Sequence, residues 1–464
     1  MRNIHPILNC QKRPSTMLRN FFLAALLLLI FSLSSYAQVQ KEWILPMKER
    51  AQWVDDMLEY RLDSLLPSLM ERTGLDMWIL ISREYNEDPV MKTILPSSWL
   101  SARRRTIMVF YKPLDGGPLE KIAIARYSVG RLLKGEWNID VYPDQWEALA
   151  KYIVEKNPQK IGLNYSADFG LADGVVHSEY TSFMENVPES HKSRVVSAED
   201  LAIAWLETRS KPEIAMYDHI CKIGHQILQE AFSEKVITPG ETTTDDIVWW
   251  LRQRSNDLGL KVWFHPTVSI QRKDSEKFDH LRSFSKRPGM QVVQYGDLLH
   301  VDFGITYLRL NTDQQQHFYV LHPDEKEVPG YLQDAFASSR RVQDILTEEF
   351  TLEKSGNQIL ADALARAEEE KIVASIYTHP IGFHGHAAGP TIGMWDNQGV
   401  TPGRGDYKMY HNTAYSIELN SATEITEWGK IIRIMLEEDG IYTEEGFRYM
   451  DGRQEKITAI PRKR

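Results

Sequence analysis

The first two hundred residues alternate short apolar runs with stretches whose apolar positions recur at helical spacing. MWILIS, residues 77–82, has no polar position until its end and reads as a buried strand. Thr106–Tyr111, Lys121–Tyr127 and Ile161–Asn164 read as further strands, with a helix over Gln145–Glu155 before the last. Ahead of them, Met47–Thr73 is helical in pattern, kinked near Pro67 and stopped at Gly74. Strands alternating with helices predict an α/β domain. It carries no dense cluster of His and carboxylates, so its expected task is to shape or cover a site.

A boundary is predicted at Thr208-Arg209-Ser210-Lys211-Pro212. There Ser210 can cap a helix, Pro212 fits its first turn and Glu213 complements its dipole. From this point the order of elements runs twice. A helix to about Val236 and another over Thr244–Leu258 precede strands between Val262 and Leu321. Helices over Gly330–Phe350 and Gly356–Glu370 then precede strands between Ile372 and Tyr442. The duplication lies in the pattern, with no repeat of residues.

Composition narrows the class. The chain has 464 residues, 42% hydrophobic and 25% charged, enough for two or three globular domains. Lys12, Arg13 and Arg19 precede an apolar run over Phe21–Leu33, and Ser35-Tyr36-Ala37 supplies small residues behind it. Residues 1–37 are therefore expected to be a cleaved export signal, the run being shorter than the roughly 20 residues that span a bilayer. These residues hold four basic and no acidic side chains, so their loss moves the formal charge from −10 to −14. That balance argues against a nucleic-acid partner. Cys10 leaves with the signal and Cys221 remains alone, which excludes an intrachain disulfide and a thiolate metal cluster. The expected product is an exported protein without stable membrane association.

Candidate chemistry gathers in the second half. Asp302 and Asp313 lie within the strand-forming stretch GDLLHVDFGITYLRLNTD, eleven positions apart. At about 3.3 Å per residue one strand would separate them by roughly 36 Å, so they share a site only if the chain doubles back. Thr378–Pro390 holds His379, His384 and His386 in a loop rich in Gly and Pro. In AYSIELN, Ser416 and Glu418 share a face, and in IIRIMLEEDG so do Arg433, Met435 and Glu437, opposite Ile432, Ile434 and Leu436. Four carboxylates and an imidazole suit Mn, Fe, Co or Zn, and so many carboxylates favour two ions bridged by shared ligands.

These residues resemble the pita-bread metallopeptidases, which include aminopeptidase P, prolidase and methionine aminopeptidase, with creatinase as a relative. The resemblance covers residues from roughly 40 to 450. The family spaces a metal-binding Asp, a second Asp eleven positions on, a His followed seven positions later by a catalytic His, and two strand Glu residues. Here these fall on Asp302, Asp313, His379, His386, Glu418 and Glu437. The resemblance, nearest the aminopeptidase P and prolidase branch, implies an α/β N-terminal domain over 38–207 that helps build the substrate pocket and a homodimer. It implies an α+β pita-bread catalytic domain over 208–464 with a pseudo-two-fold duplication. It further implies two divalent metal ions, Mn first and Co, Zn or Fe as alternatives, held by Asp302, Asp313, His379, Glu418 and Glu437, with Glu418 also the proton acceptor. His386, and a further His before Asp302, would contact the substrate; His280 is the candidate and His265 its rival.

The expected reaction is hydrolysis of the bond between an N-terminal residue and proline in a peptide. Three departures from the family pattern bear on specificity: Ala387 after the second His, Glu418-Leu419-Asn420 for Glu-Pro-Gly, and Gln314-Gln315-Gln316 for Thr-Arg-Thr. None removes an expected ligand. The alternatives are a creatinase-like hydrolase of a small molecule and a non-catalytic peptide-binding protein on the same fold.

Overall fold

A computed structural model describes residues 43–273 and 289–461. The chain divides into two compact units, Met1–Arg50, of which 43–50 are described, and Ala51–Arg464. All that follows concerns the second. Among the described residues no helix is long and apolar enough to cross a membrane.

The first layer of this unit is a six-stranded mixed sheet. Its central strand, Met77–Arg83, runs antiparallel to Arg105–Tyr111 and parallel to Ile161–Leu163. Because side chains alternate along a strand, Met77, Ile79 and Ile81 join a core with helices Gln145–Lys156 and His177–Asn186. Trp78 and Leu80 join the opposite core with helices Leu66–Thr73, Pro89–Ile94 and Glu199–Glu207. The all-apolar run in the sequence reflects this burial on both faces. That second core also takes in Ala388, with Phe383 and Tyr407 packed against it, so the first layer rests on the loop that carries His379 and His386.

Three expectations need correction. The strand drawn over Lys121–Tyr127 is Glu120–Ala123, since the chain turns away to expose Arg126 and Tyr127. The break in the first helix precedes Pro67: a π-helical turn, Arg61–Leu65, swings the Arg61 guanidinium into the interior, where it bonds Glu213 at 2.7 Å and the Thr208 carbonyl at 2.8 Å. The helix starting at Lys211 is capped by Ser210 as expected, with Glu213 also reaching back to close a capping box, but it ends at Ala231. Phe232 leaves it to stack on Phe318, with centroids 4.2 Å apart.

The second half supplies the site. Strands Thr267–Gln271, Leu298–Phe303, Gln314–Val320 and Thr458–Ile460 form one sheet. Val373–Ile376, Leu419–Ile425 and Lys430–Leu436 form another, and His379–Pro380, Thr413–Ser416, Asp439–Thr443 and Gly446–Tyr449 a third. Helices Gly330–Glu348 and Gly356–Glu369 bury Ile345, Leu346, Ile359 and Leu360 against Ile376, Ile417 and Leu419. Ile432, Ile434 and Leu436 meet Leu332 and Phe336 in a further core. Their burial turns Met435 and Glu437 the other way, as the alternation predicts.

Candidate metal centre

The doubling back between the two aspartates is present. Strand Leu298–Phe303 pairs antiparallel with Gln314–Val320, Asp302 standing opposite Gln315. The link between them is a small hairpin of Ile305–Tyr307 and Leu310–Asn311, turned through Leu308 and Arg309 at φ 53° and 68°. Gly304 is needed here, because a Cβ would lie 2.3 Å from both the Thr312 carbonyl oxygen and Trp263 Nε1.

Glu437 enters from the neighbouring segment, its main chain bridged to Gln315. His379 pairs with Ser416, and Ser416 with Asp439, which brings the third sheet to the same point. Ligand atoms of Asp302, Asp313 and Glu437 lie within 4.8 Å of one another, as do those of His379, Glu418 and Glu437, and those of Asp313, His379 and His386. His379 Nδ1 lies 3.0 Å from the Pro380 carbonyl oxygen, so that nitrogen carries the proton and Nε2 presents a lone pair. Nε2 is buried, has no hydrogen-bond partner among the described residues, and lies 3.5 Å from Glu437 Oε1 and 3.9 Å from Asp313 Oδ2. Asp313 Oδ1 is likewise buried and without a hydrogen-bond partner among the described residues, while the Asp313 main-chain N–H donates to Asp439. Ser416 Oγ donates to Glu437 Oε1 at 2.7 Å.

Burial, then the charges of Glu437, Asp302, Glu418 and Asp439, push the Asp313 carboxyl well above the usual range. Burial, then Glu437 and Asp302, do the same to Glu418. A cluster of acids that cannot all ionise unaided, with a lone pair and a carboxylate oxygen left over, fits divalent cations.

The cluster opens onto a cavity of about 510 Å³. Trp263, Phe264, Tyr377, Trp395, Leu419 and Met435 supply its apolar wall. His386 also lines it, its ring set edge to face against His379 at 4.6 Å and Trp263 at 5.4 Å. The ring keeps solvent access at the cavity mouth, but desolvation by these walls, then His379, pushes its pKa down to about 4. His386 is therefore neutral near pH 7, with one N–H to donate. Burial raises the Tyr377 hydroxyl, helped by Glu418 and Glu437, so it stays a donor too.

Asp302, Asp313, His379, His386, Glu418 and Glu437 thus meet in one place. His280 lies outside the described residues. His265 is exposed, faces Trp249 at 5.6 Å and Arg252 at 3.4 Å, and does not line the cavity. His384 also points elsewhere, its pKa lowered to about 4 by burial, then Arg209 and Lys92. The pattern of residues did not reveal Gln315 as a partner of two carboxylates, although it lies two positions beyond Asp313 and so shares its strand face. Trp263, Phe264 and Trp395 carried no such signal.

The model of metallopeptidase family M24 matches residues 215–446, half of the chain, and spans every one of the six converging residues. The chain belongs to metallopeptidase family M24. Among curated proteins none matches the chain. Solved M24-like structures share the pita-bread fold. An X-Pro aminopeptidase from Thermotoga maritima is 17% identical with a TM-score of 0.58, covering 84% of this chain and 99% of its own. An Xaa-Pro dipeptidase from Bacillus anthracis is also 17% identical, TM-score 0.57, with 86% and 99% covered. A prolidase from Pyrococcus horikoshii OT3 is 13% identical, TM-score 0.54, with 85% and 99% covered. This M24 chain is accordingly a peptidase hydrolase that uses divalent metal.

Proposed function

We propose that this chain is an exported, dinuclear metal-dependent peptidase of aminopeptidase P or prolidase type, which hydrolyses the bond between an N-terminal residue and proline. The convergence of Asp302, Asp313, His379, Glu418 and Glu437 beside an apolar-walled cavity of about 510 Å³ carries this reading. The Xaa-Pro activities named for structures of the same fold support the choice of substrate. Residues 38–207 act as the domain that shapes the pocket of the catalytic part, 208–464, and two copies pair as a homodimer.

Asp302, Asp313, His379, Glu418 and Glu437 would hold two divalent cations, Mn first among Mn, Co, Zn and Fe. Such ions supply Lewis acidity that makes water nucleophilic near neutral pH and polarises the scissile carbonyl. Glu418, at the cavity wall, would take the proton released as water attacks and pass it to the leaving nitrogen. The neutral His386 donates its N–H to the carbonyl oxygen as negative charge grows there. Trp263, Phe264 and Tyr377 exclude water and pack against the ring or side chain that follows the scissile bond.

Elemental analysis of protein prepared without chelator, beside peptide hydrolysis with and without added Mn²⁺, tests this. Two ions per chain and metal-dependent release of the N-terminal residue are expected. No transition metal and no gain on adding Mn²⁺ or Co²⁺ would favour a peptide-binding protein. Hydrolysis of a small C–N substrate independent of metal would favour the creatinase-like alternative.

A further inference from the structure

One amide reaches two carboxylates of the cluster at once. The main chain of Gln315 is paired to Asp302 on one side and to Glu437 on the other, its N–H donating to the Glu437 carbonyl oxygen at 2.9 Å. Its side-chain Nε2 donates to Glu418 Oε1 at 3.0 Å and to Glu437 Oε2 at 2.6 Å. Its Oε1 lies 2.8 Å from His300 Nε2, and His300 Nδ1 lies 3.4 Å from Ser269 Oγ.

The direction of these bonds follows from the chemistry of the groups. An amide has donors at one end and lone pairs at the other, so a flipped Gln315 would set its carbonyl oxygen against two carboxylates. With the nitrogen facing the acids, Oε1 needs a donor, and His300 Nε2–H is placed to be one. His300 sits two residues before Asp302 and therefore shares its strand face. An amide also differs from the cation that could occupy such a place. Lys or Arg would neutralise one of the four acids, whereas Gln orients two of them and leaves the full negative charge to balance two divalent ions.

We infer that Gln315, itself fixed by His300, is the positioning residue of the metal centre. It reserves one oxygen each of Glu418 and Glu437 and so sets the affinity for the pair of cations. This rests on the metal-dependent reading above. It adds two residues that neither the family spacing nor the ligand set includes.

Mn²⁺ titrated into the full chain after chelator treatment, followed by calorimetry and by electron paramagnetic resonance of the loaded protein, tests the inference. The variants are Gln315→Met, which keeps the length and loses both donors, His300→Ala, and the pair combined. Gln315→Met should weaken Mn²⁺ binding by about 10- to 100-fold and diminish the signal of spin-coupled ion pairs. His300→Ala should shift both readings in the same direction by less, and the double variant should be no worse than Gln315→Met alone, because His300 acts through Gln315. Two ions bound by the parent and by Gln315→Met with equal affinity would overturn the inference and leave the metallopeptidase reading standing. A parent that binds no Mn²⁺ would remove both. If Gln315→Met does not fold, His300→Ala decides alone, and parental Mn²⁺ affinity in that variant overturns the inference.

Discussion

His379 and His386 stand edge to face, ring centroids 4.6 Å apart and planes at 83°. Proximity alone would let either ring ligate, since both lie near Asp313. Their surroundings separate them: His379 is buried and tied through Nδ1 to the Pro380 carbonyl, whereas His386 opens onto the cavity between Trp263 and Tyr377. His386→Ala should therefore keep near-parental metal content and lose turnover by about 100- to 1000-fold, the usual cost of one oxyanion donor. His379→Ala should lose metal as well. Metal content measured beside single-turnover rates checks both, and the reverse pattern would exchange the roles.

Asp313→Ala and Glu437→Ala should each lower bound metal and abolish turnover without unfolding the chain. Each removes one of several mutually repelling acids, so the metal-free protein should melt no lower than the parent, while the rise in melting temperature on adding Mn²⁺ should shrink. Thermal melts with and without Mn²⁺ separate loss of a ligand from loss of packing.

The pH dependence of stability is set partly by His225. Its Nε2 lies 2.6 Å from Glu438 and its Nδ1 2.9 Å from Asp451. Burial opposes its charge, but Glu438 and Asp451 outweigh that and raise the pKa from 6.5 to about 10. A folded pKa above the unfolded one means that this contribution is complete below pH 6.5 and lost as pH rises to about 10. Allowing for solvent at Asp451, roughly 2–4 kcal/mol is at stake. Denaturant titrations should show the parent losing stability across that window, and His225→Gln should start lower and lose less.

Export predicts a specific terminus. Mass spectrometry of the mature protein should find Gln38 at or within a residue or two of its N-terminus. An intact N-terminal segment in the extracytoplasmic fraction would defeat that claim.

Much of this architecture was legible in the sequence because period and capping act locally. Ser210 and Glu213 announced a helix start, and the alternation of Ile432, Ile434 and Leu436 oriented Glu437 correctly. The six converging residues were legible through their resemblance to the family's spacing. Their second partners were not. Nothing local says that Gln315 bonds Glu418 and Glu437, more than a hundred residues away, or that Arg61, at the start of a π-helical turn, pairs with Glu213. The cavity wall was hidden for the same reason. Trp263 and Trp395 come to line one cavity only after the sheets assemble, and an isolated Trp in a loop looks the same whether it lines a pocket or not.

The central claim is cleavage after an N-terminal residue that precedes proline, and it can be read directly. The full chain loaded with Mn²⁺ is incubated with peptides that differ only in their second residue, and the products are weighed by mass spectrometry. Peptides with proline second should lose their N-terminal residue, and the same peptides should remain whole with the His386→Ala variant. Cleavage that ignores the second residue, or no cleavage by protein that holds its metal, would contradict the account.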